Sequence, residues 1–237
     1  YNSSMSGHSK WSTIKRQKGA KDAARGAVFT KLGNMIALAA RSGADPSMNP
    51  SLALAIEKAK AANMPNVNIE RSIARVSDKN AAQLQEIIYE GYGPGGVAVI
   101  VSCATDNINR TYPEVKTVFN KRGGSVADKG SVVYQFSHKG VISVNATGED
   151  ALLTILDAGA EDALEEDGFM RVITDAKDLA KVRTAIVQAG LQITDAELSY
   201  EPNTTVELDD EKQEKLFNML EAFEELDDVV NTYTNLA

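Results

Sequence analysis

The chain has 237 residues, 43% of them hydrophobic, and a formal net charge of −8 at neutral pH. That length is too great for one ordinary core and points to two or three domains, while the apolar content excludes a disordered chain. A single cysteine, Cys103, excludes an internal disulfide framework, and with only His8 and His138 beside it no Cys/His zinc site can be assembled.

No apolar run is long enough to span a bilayer and no apolar signal segment follows Met5, so a cytoplasmic protein without membrane contact is expected. Tyr1 to Ser4 read as an appendage ahead of that methionine. The net charge hides an asymmetry: residues 1–75 hold 12 Lys and Arg against 4 Asp and Glu, a net +8, and the remainder holds 13 against 29, a net −16. An acidic body repels polyanions at long range, which leaves the basic end to make any approach to nucleic acid.

In chain order, residues 7–31 come first and concentrate the cations Lys10, Lys15, Arg16, Lys18, Lys21, Arg25 and Lys31 against one acid, Asp22. Read as a helix, Lys15, Lys18 and Arg25 share a stripe, with Trp11 and Ile14 as a small apolar anchor beside it. Lys and Arg displace counterions from a phosphate backbone and Trp11 can stack on an unpaired base, so these residues are the candidate contact; a solvated charge run is the alternative. Helical spacing continues through Phe29, Leu32, Ile36 and Ala39 until Gly43 and Pro46. A second helix begins at Asn49-Pro50, a cap followed by proline in the first turn, and stops at Met64-Pro65. A third puts Ile69, Ile73 and Val76 on one face and Arg71 and Arg75 on another, adding two cations to the candidate surface. A helix-turn-helix reader is disfavoured, because the second and third helices lack a face of Asn, Gln and Arg.

Past Ser77 the pattern becomes β-rich, with strands expected at residues 84–89, 97–102 and 132–136. The first two are joined by a run containing Gly91-x-Gly93-x-x-Gly96. A dinucleotide loop must open a helix, but this one leads into the strand Val97-Ala98-Val99-Ile100-Val101, so the glycines are read as a hairpin that needs positive φ or close backbone approach. Asp106 or Asn107 caps a helix through Val115, Val118 and Phe119 that ends at Gly123-Gly124. Here the alternative to simple capping is a secondary or partner surface comprising Tyr92, Asn107, Asn109, Arg110 and Lys121, with Lys116 and Arg122 nearby.

Residues 137–201 read as β-α-β-β-α-β, the ferredoxin-like order. After them come a strand at 204–208, an acidic helix with Leu216, Leu220 and Phe223 inward, and a last strand at 229–233. The expected fold class is therefore a multidomain α+β protein: an N-terminal helical bundle (5–77) followed by two ferredoxin-like α+β domains, one (137–201) inserted into the other (78–136 with 202–237). The acidic runs Glu165-Glu166-Asp167, Asp209-Asp210-Glu211 and Glu224-Glu225 read as solvated faces and not as magnesium ligands.

Gly7-His8-Ser9-Lys10-Trp11, Ile14-Lys15, Phe29-Thr30-Lys31, Asn63-Met64-Pro65, Asn68-Ile69-Glu70-Arg71, residues 90–96, residues 106–111, Lys121 with Gly123-Gly124, and Gly130-Ser131-Val132 together resemble the YebC family. That family includes bacterial PmpR-type regulators and the mitochondrial translational activator of cytochrome c oxidase. The resemblance runs from Met5 to the C-terminus. It implies a cytoplasmic three-domain protein of gene expression with no enzymatic activity: a DNA-binding transcriptional regulator or, in other members, a ribosome-associated translation factor. Ala24, Ala27, Asn34, Ser51 and Ala53 stand where the family tends to carry further Lys or Arg.

Function is thus expected to be non-enzymatic nucleic-acid binding, through DNA or through ribosomal RNA and the ribosome, with an acidic protein-interaction scaffold as a reading of a different class. No Ser/His/Asp, Cys/His or paired-carboxylate constellation is apparent, and no cofactor, metal or small-molecule substrate is expected.

Overall fold

The computed structural model describes residues 24–77 and 83–237. Among them the chain forms helices α1 (Ala24–Ala40), α2 (Pro50–Ala61), α3 (Asn66–Ala74), α4 (Ile108–Lys121), α5 (Glu149–Asp157), α6 (Leu179–Gln188) and α7 (Asp210–Glu224). Its strands are β1 (Gln85–Tyr92), β2 (Ala98–Thr105), β3 (Ser125–Ala127), β4 (Phe136–Val144), β5 (Asp162–Glu166), β6 (Phe169–Asp175), β7 (Ile193–Pro202) and β8 (Val229–Thr234). They build a mixed α+β protein with two four-stranded sheets, ordered β3-β1-β2-β8 and β5-β6-β4-β7. The chain divides into two compact units, residues 137–201 and the remainder. No helix among the described residues is long and apolar enough to cross a membrane.

In the larger unit, α2 starts where local chemistry dictates. Asn49 accepts the Leu52 amide at 3.1 Å, and Pro50, which has no N–H to lose, fills the first helical position. The helix ends in a Schellman motif: Asn63 adopts φ 60°, the Met64 amide bonds Ala59 O and the Asn63 amide bonds Lys60 O, both at 2.9 Å. That turn aims Met64 into a core with Leu32, Ile36, Leu52 and Ile69, which holds α1, α2 and α3 together. Gly33 permits close crossing of α1 and α3, since a Cβ there would lie 3.0 Å from Ser72 Oγ.

The sheet of this unit is packed on one face by α4 and α7 around Phe119, Leu216, Met219 and Phe223, all fully buried. α1 lies against β2 and β8. Every residue of β2 is buried, so its sequence is a continuous apolar run without alternation. β1 and β2 form the expected hairpin, from Gln85 opposite Thr105 to Tyr92 opposite Ala98. Its glycines have separate causes: Gly95 takes φ 75°, whereas Gly93 (φ −92°) is small because a Cβ would meet Leu216 at 2.9 Å.

Three expectations are corrected here. Residues 132–136 do not form a strand; Val133–Gln135 is a 3₁₀ turn, because the amides of Val132 and Val133 bond the buried Glu90 carboxylate, each at 2.7 Å, and not a neighbouring strand. Residues 204–208 make only an isolated parallel bridge, Val206 with Leu236, before Asp209 caps α7. The larger unit also departs from the ferredoxin-like order along the chain, since it opens with a β-hairpin, although its sheet keeps four strands, each antiparallel to its neighbours, with two helices on one face. Its central hairpin β1-β2 is flanked by β3 and β8, and the three-residue β3 pairs Ser125 to Ala127 with Tyr92 to Glu90.

Residues 137–201 do carry the ferredoxin-like order, the first strand lying between the third and the fourth. The Asn145 amide bonds Gln192 O at 2.8 Å and the Thr194 hydroxyl bonds Ser143 O at 3.2 Å, so β4 and β7 run antiparallel. Ile142, Val144, Ile155, Val172, Val182 and Ile186 are buried in this unit.

Candidate nucleic-acid interface

Lys10, Trp11, Lys15, Arg16, Lys18 and Lys21 lie outside the described residues. Arg25 sits at the start of α1, and its side chain is likewise outside the description. Lys31 is half-buried and donates from its ammonium to the carbonyl of Glu224, the last residue of α7. A cation there satisfies an orphan carbonyl at the negative end of the helix dipole, so Lys31 also has a structural role.

Arg71 on α3 and Arg75, the residue that follows the helix one turn later, edge a groove of about 640 Å³ between α1 and α3. From α1 the groove receives Phe29, Thr30 and Asn34; from α3 it receives Asn68 and Ser72; and Met64 closes one side. Thr30 turns its hydroxyl back to Gly26 O (3.0 Å) and Ser72 to Asn68 O (2.9 Å), so neither donor points outward. Asn34, only 8% exposed, accepts Arg75 Nη1 at 3.3 Å through Oδ1, while its amide NH2 has no partner among the described residues. The side chains of Asn68 and Arg71 also have none there. Phe29, Asn34, Asn68 and Ser72 are not legible in the sequence as site residues individually. The spacing of 30, 33 and 34 on one helix and of 68, 71, 72 and 75 on the other is the signal that could have found them, a polar stripe on each.

Three residues of the expected secondary surface, Tyr92, Asn107 and Arg110, are engaged in hydrogen bonds within the protein, although Asn107 and Arg110 remain exposed. Asn107 caps α4 by accepting the Arg110 amide at 3.2 Å. Arg110 donates to both oxygens of Asp228, at 2.9 and 2.8 Å, and to Asp106 at 3.2 Å; Asp106 in turn receives Arg75 at 3.4 Å. Asp228, buried, also accepts Thr111 Oγ1 at 2.6 Å and Thr105 Oγ1 at 3.0 Å. Burial pushes its pKa up, but the Thr111, Arg110 and Thr105 hydrogen bonds outweigh that and hold it below the ordinary aspartate range. Tyr92 is half-buried and donates to Ser131 O at 3.2 Å. Asn109 and Lys121 are exposed, at the two ends of α4.

Glu90 carries a structural role that nothing in its sequence neighbourhood signals. Its carboxylate, 3% exposed, accepts the amides of Gly130, Val132 and Val133 at 2.6, 2.7 and 2.7 Å and so shapes the loop before β4. Burial alone would raise its pKa, yet the three amides, with Lys129, bring it below the usual glutamate range. Cys103 offers no nucleophile: burial, reinforced by the charge of Asp228, pushes its thiol up to about 12.

Fold and groove together define a class, a multidomain α+β protein whose helical end carries an arginine-edged polar groove. Residues 9–79 match the TACO1/YebC protein N-terminal domain and residues 84–236 the TACO1/YebC second and third domain, so the chain belongs to the TACO1/YebC family, as its motifs implied. It is 46% identical to a "Probable transcriptional regulatory protein" of Desulforamulus reducens, over 98% of both chains. Its identity to one of the same name in Rubrobacter xylanophilus is 48%, over 98% of this chain and 95% of that one. A conserved hypothetical protein of Aquifex aeolicus, solved by crystallography, shares the fold with a TM-score of 0.85 at 41% identity, covering 91% of each chain.

Proposed function

We propose that this protein is a non-enzymatic regulator of gene expression that binds nucleic acid through its basic end, with DNA and transcription as the leading target. The observation that carries this reading is the charge division, +8 within residues 1–75 against −16 in the rest. Such a division orients a polyanion toward one end of the molecule and makes binding depend steeply on salt. The names of the relatives agree with a regulatory role. A second reading, ribosomal RNA and translation, is favoured by the makeup of residues 7–31: point charges with a single tryptophan and no cluster that reads base edges in a major groove.

Charge neutralisation tests the proposal better than deletion, because removing residues 5–31 would cut into α1, which packs on the sheet. A chain with Lys10, Lys15, Lys18 and Lys21 changed to Ser should keep its melting temperature and bind nucleic acid more weakly in gel shifts. The slope of log affinity against log salt should be shallower by about 0.7–0.9 for each phosphate that is no longer neutralised. Unchanged affinity and slope would refute the assignment of binding to this end.

A further inference from the structure

We infer that the groove between α1 and α3 is a pocket for one unpaired nucleotide of a nucleic-acid strand, with the phosphate held at Arg71. This rests on the nucleic-acid reading above and adds to it a position and a strand state. The volume, about 640 Å³, is within the roughly 300–1,000 Å³ span of sites that enclose small ligands. Its lining divides by chemistry in the way a nucleotide does. Phe29 and Met64 supply an aromatic ring and a polarizable thioether, which suit the flat face of a base. Asn34 keeps its Oδ1 for Arg75, at 3.3 Å, and leaves an amide donor for a carbonyl on the base edge. Asn68, with both donor and acceptor capacity, can reach a second edge position.

At the mouth, the exposed Arg71 has no carboxylate or carbonyl partner among the described residues, unlike Arg75, which is tied to Asn34 and Asp106. A cation left unpaired beside uncommitted amides is suited to a phosphate. A base seated against Phe29 and Met64 has its face and edge occupied by protein and must therefore have left a duplex stack, which sets the strand state of the proposal. Single-stranded RNA and DNA share the chemistry recognised here, since nothing in the lining selects for the ribose hydroxyl.

The test uses the full chain and two variants, Arg71→Gln and Asn68→Phe, with fluorescence anisotropy against a short oligouridine, an oligothymidine of equal length and a duplex. Asn68→Phe fills the groove without altering charge. It should weaken both single strands about tenfold, leave the salt slope unchanged and barely affect the duplex. Arg71→Gln should weaken the single strands and reduce the slope by about 0.7. With 4-thiouridine in the strand, crosslinks should fall on peptides containing Phe29 or Met64. Parent-like single-strand binding by both variants, or crosslinks confined to other peptides, would overturn the pocket while leaving the basic-end assignment standing. Uridine monophosphate competing as well as the oligouridine would overturn it too, since the groove would then serve a free metabolite. A parent chain that binds neither single strands nor duplex would remove both readings.

Discussion

Asp228 is the residue on which the polar run 106–111 turns. It gathers two buried threonine hydroxyls and one guanidinium at the junction of β2, α4 and the approach to β8. Because Arg110 remains 48% exposed on its side chain, its ion pair with Asp228 is screened and contributes modestly. The threonines are fully buried, and losing the carboxylate removes an acceptor from both, although Thr111 keeps Asn107 O at 3.0 Å. Asp228→Ala should therefore cost about 1–3 kcal/mol more than Arg110→Ala in denaturant unfolding. Equal costs would show that the ion pair dominates. Glu90 gives the second prediction. Its folded-state pKa is depressed, so its contribution is present above the ordinary glutamate range and is lost as pH falls through the folded value. Glu90→Gln should lower the melting temperature near neutral pH, and the gap to the parent should close in acid. A gap constant across that range would mean that the amides bind a glutamine equally well.

At the scale of elements, legibility followed the distance over which the causes act. α2 could be read because Asn49, Pro50 and the turn at Asn63 are local chemistry. The β1–β2 hairpin could be read because glycines followed by an apolar run exclude a helix. The turn at Val133–Gln135 could not, since its β-branched residues bond a carboxylate some forty residues earlier. The order of the larger sheet was hidden for the same reason, its edges being supplied by a three-residue strand and by the far end of the chain. At the candidate site, Arg71 and Arg75 were visible as cations, but that Arg75 and not Arg71 is engaged among the described residues depends on Asp106 and Asn34, remote in sequence. The hairpin also makes a prediction about mechanism. Gly93→Val and Gly95→Val should both lower the melting temperature, the first through a clash with Leu216 and the second through φ 75° as well as Leu208. Pairing with Leu216→Ala should relieve Gly93→Val in part and leave Gly95→Val unrelieved; identical behaviour of the two would refute separate causes.

At the scale of the whole molecule, the two units are completed at different points along the chain. Residues 137–201 contain all four strands of their sheet, whereas the larger unit lacks α7 and β8 until residues 210–234 are present. Its core needs them: Leu216, Met219, Leu220, Phe223 and Val229 pack with Val99, Val101 and Phe119. A chain ending at residue 209 should retain a cooperative transition for residues 137–201 and lose the one belonging to the larger unit, measured by amide exchange across β4–β7 and β1–β2. Protection of β1–β2 in that truncated chain would show that the hairpin and helices suffice. The antiparallel pairing of β4 with β7 places the entry and exit of the inserted unit side by side, so its closure demands little loop entropy from the host. During synthesis, therefore, the later-begun unit is the first able to finish. While the ribosome is still adding residues 210–234, the apolar edge of β2 waits without its β8 partner, an unpaired strand edge open to wrong partners.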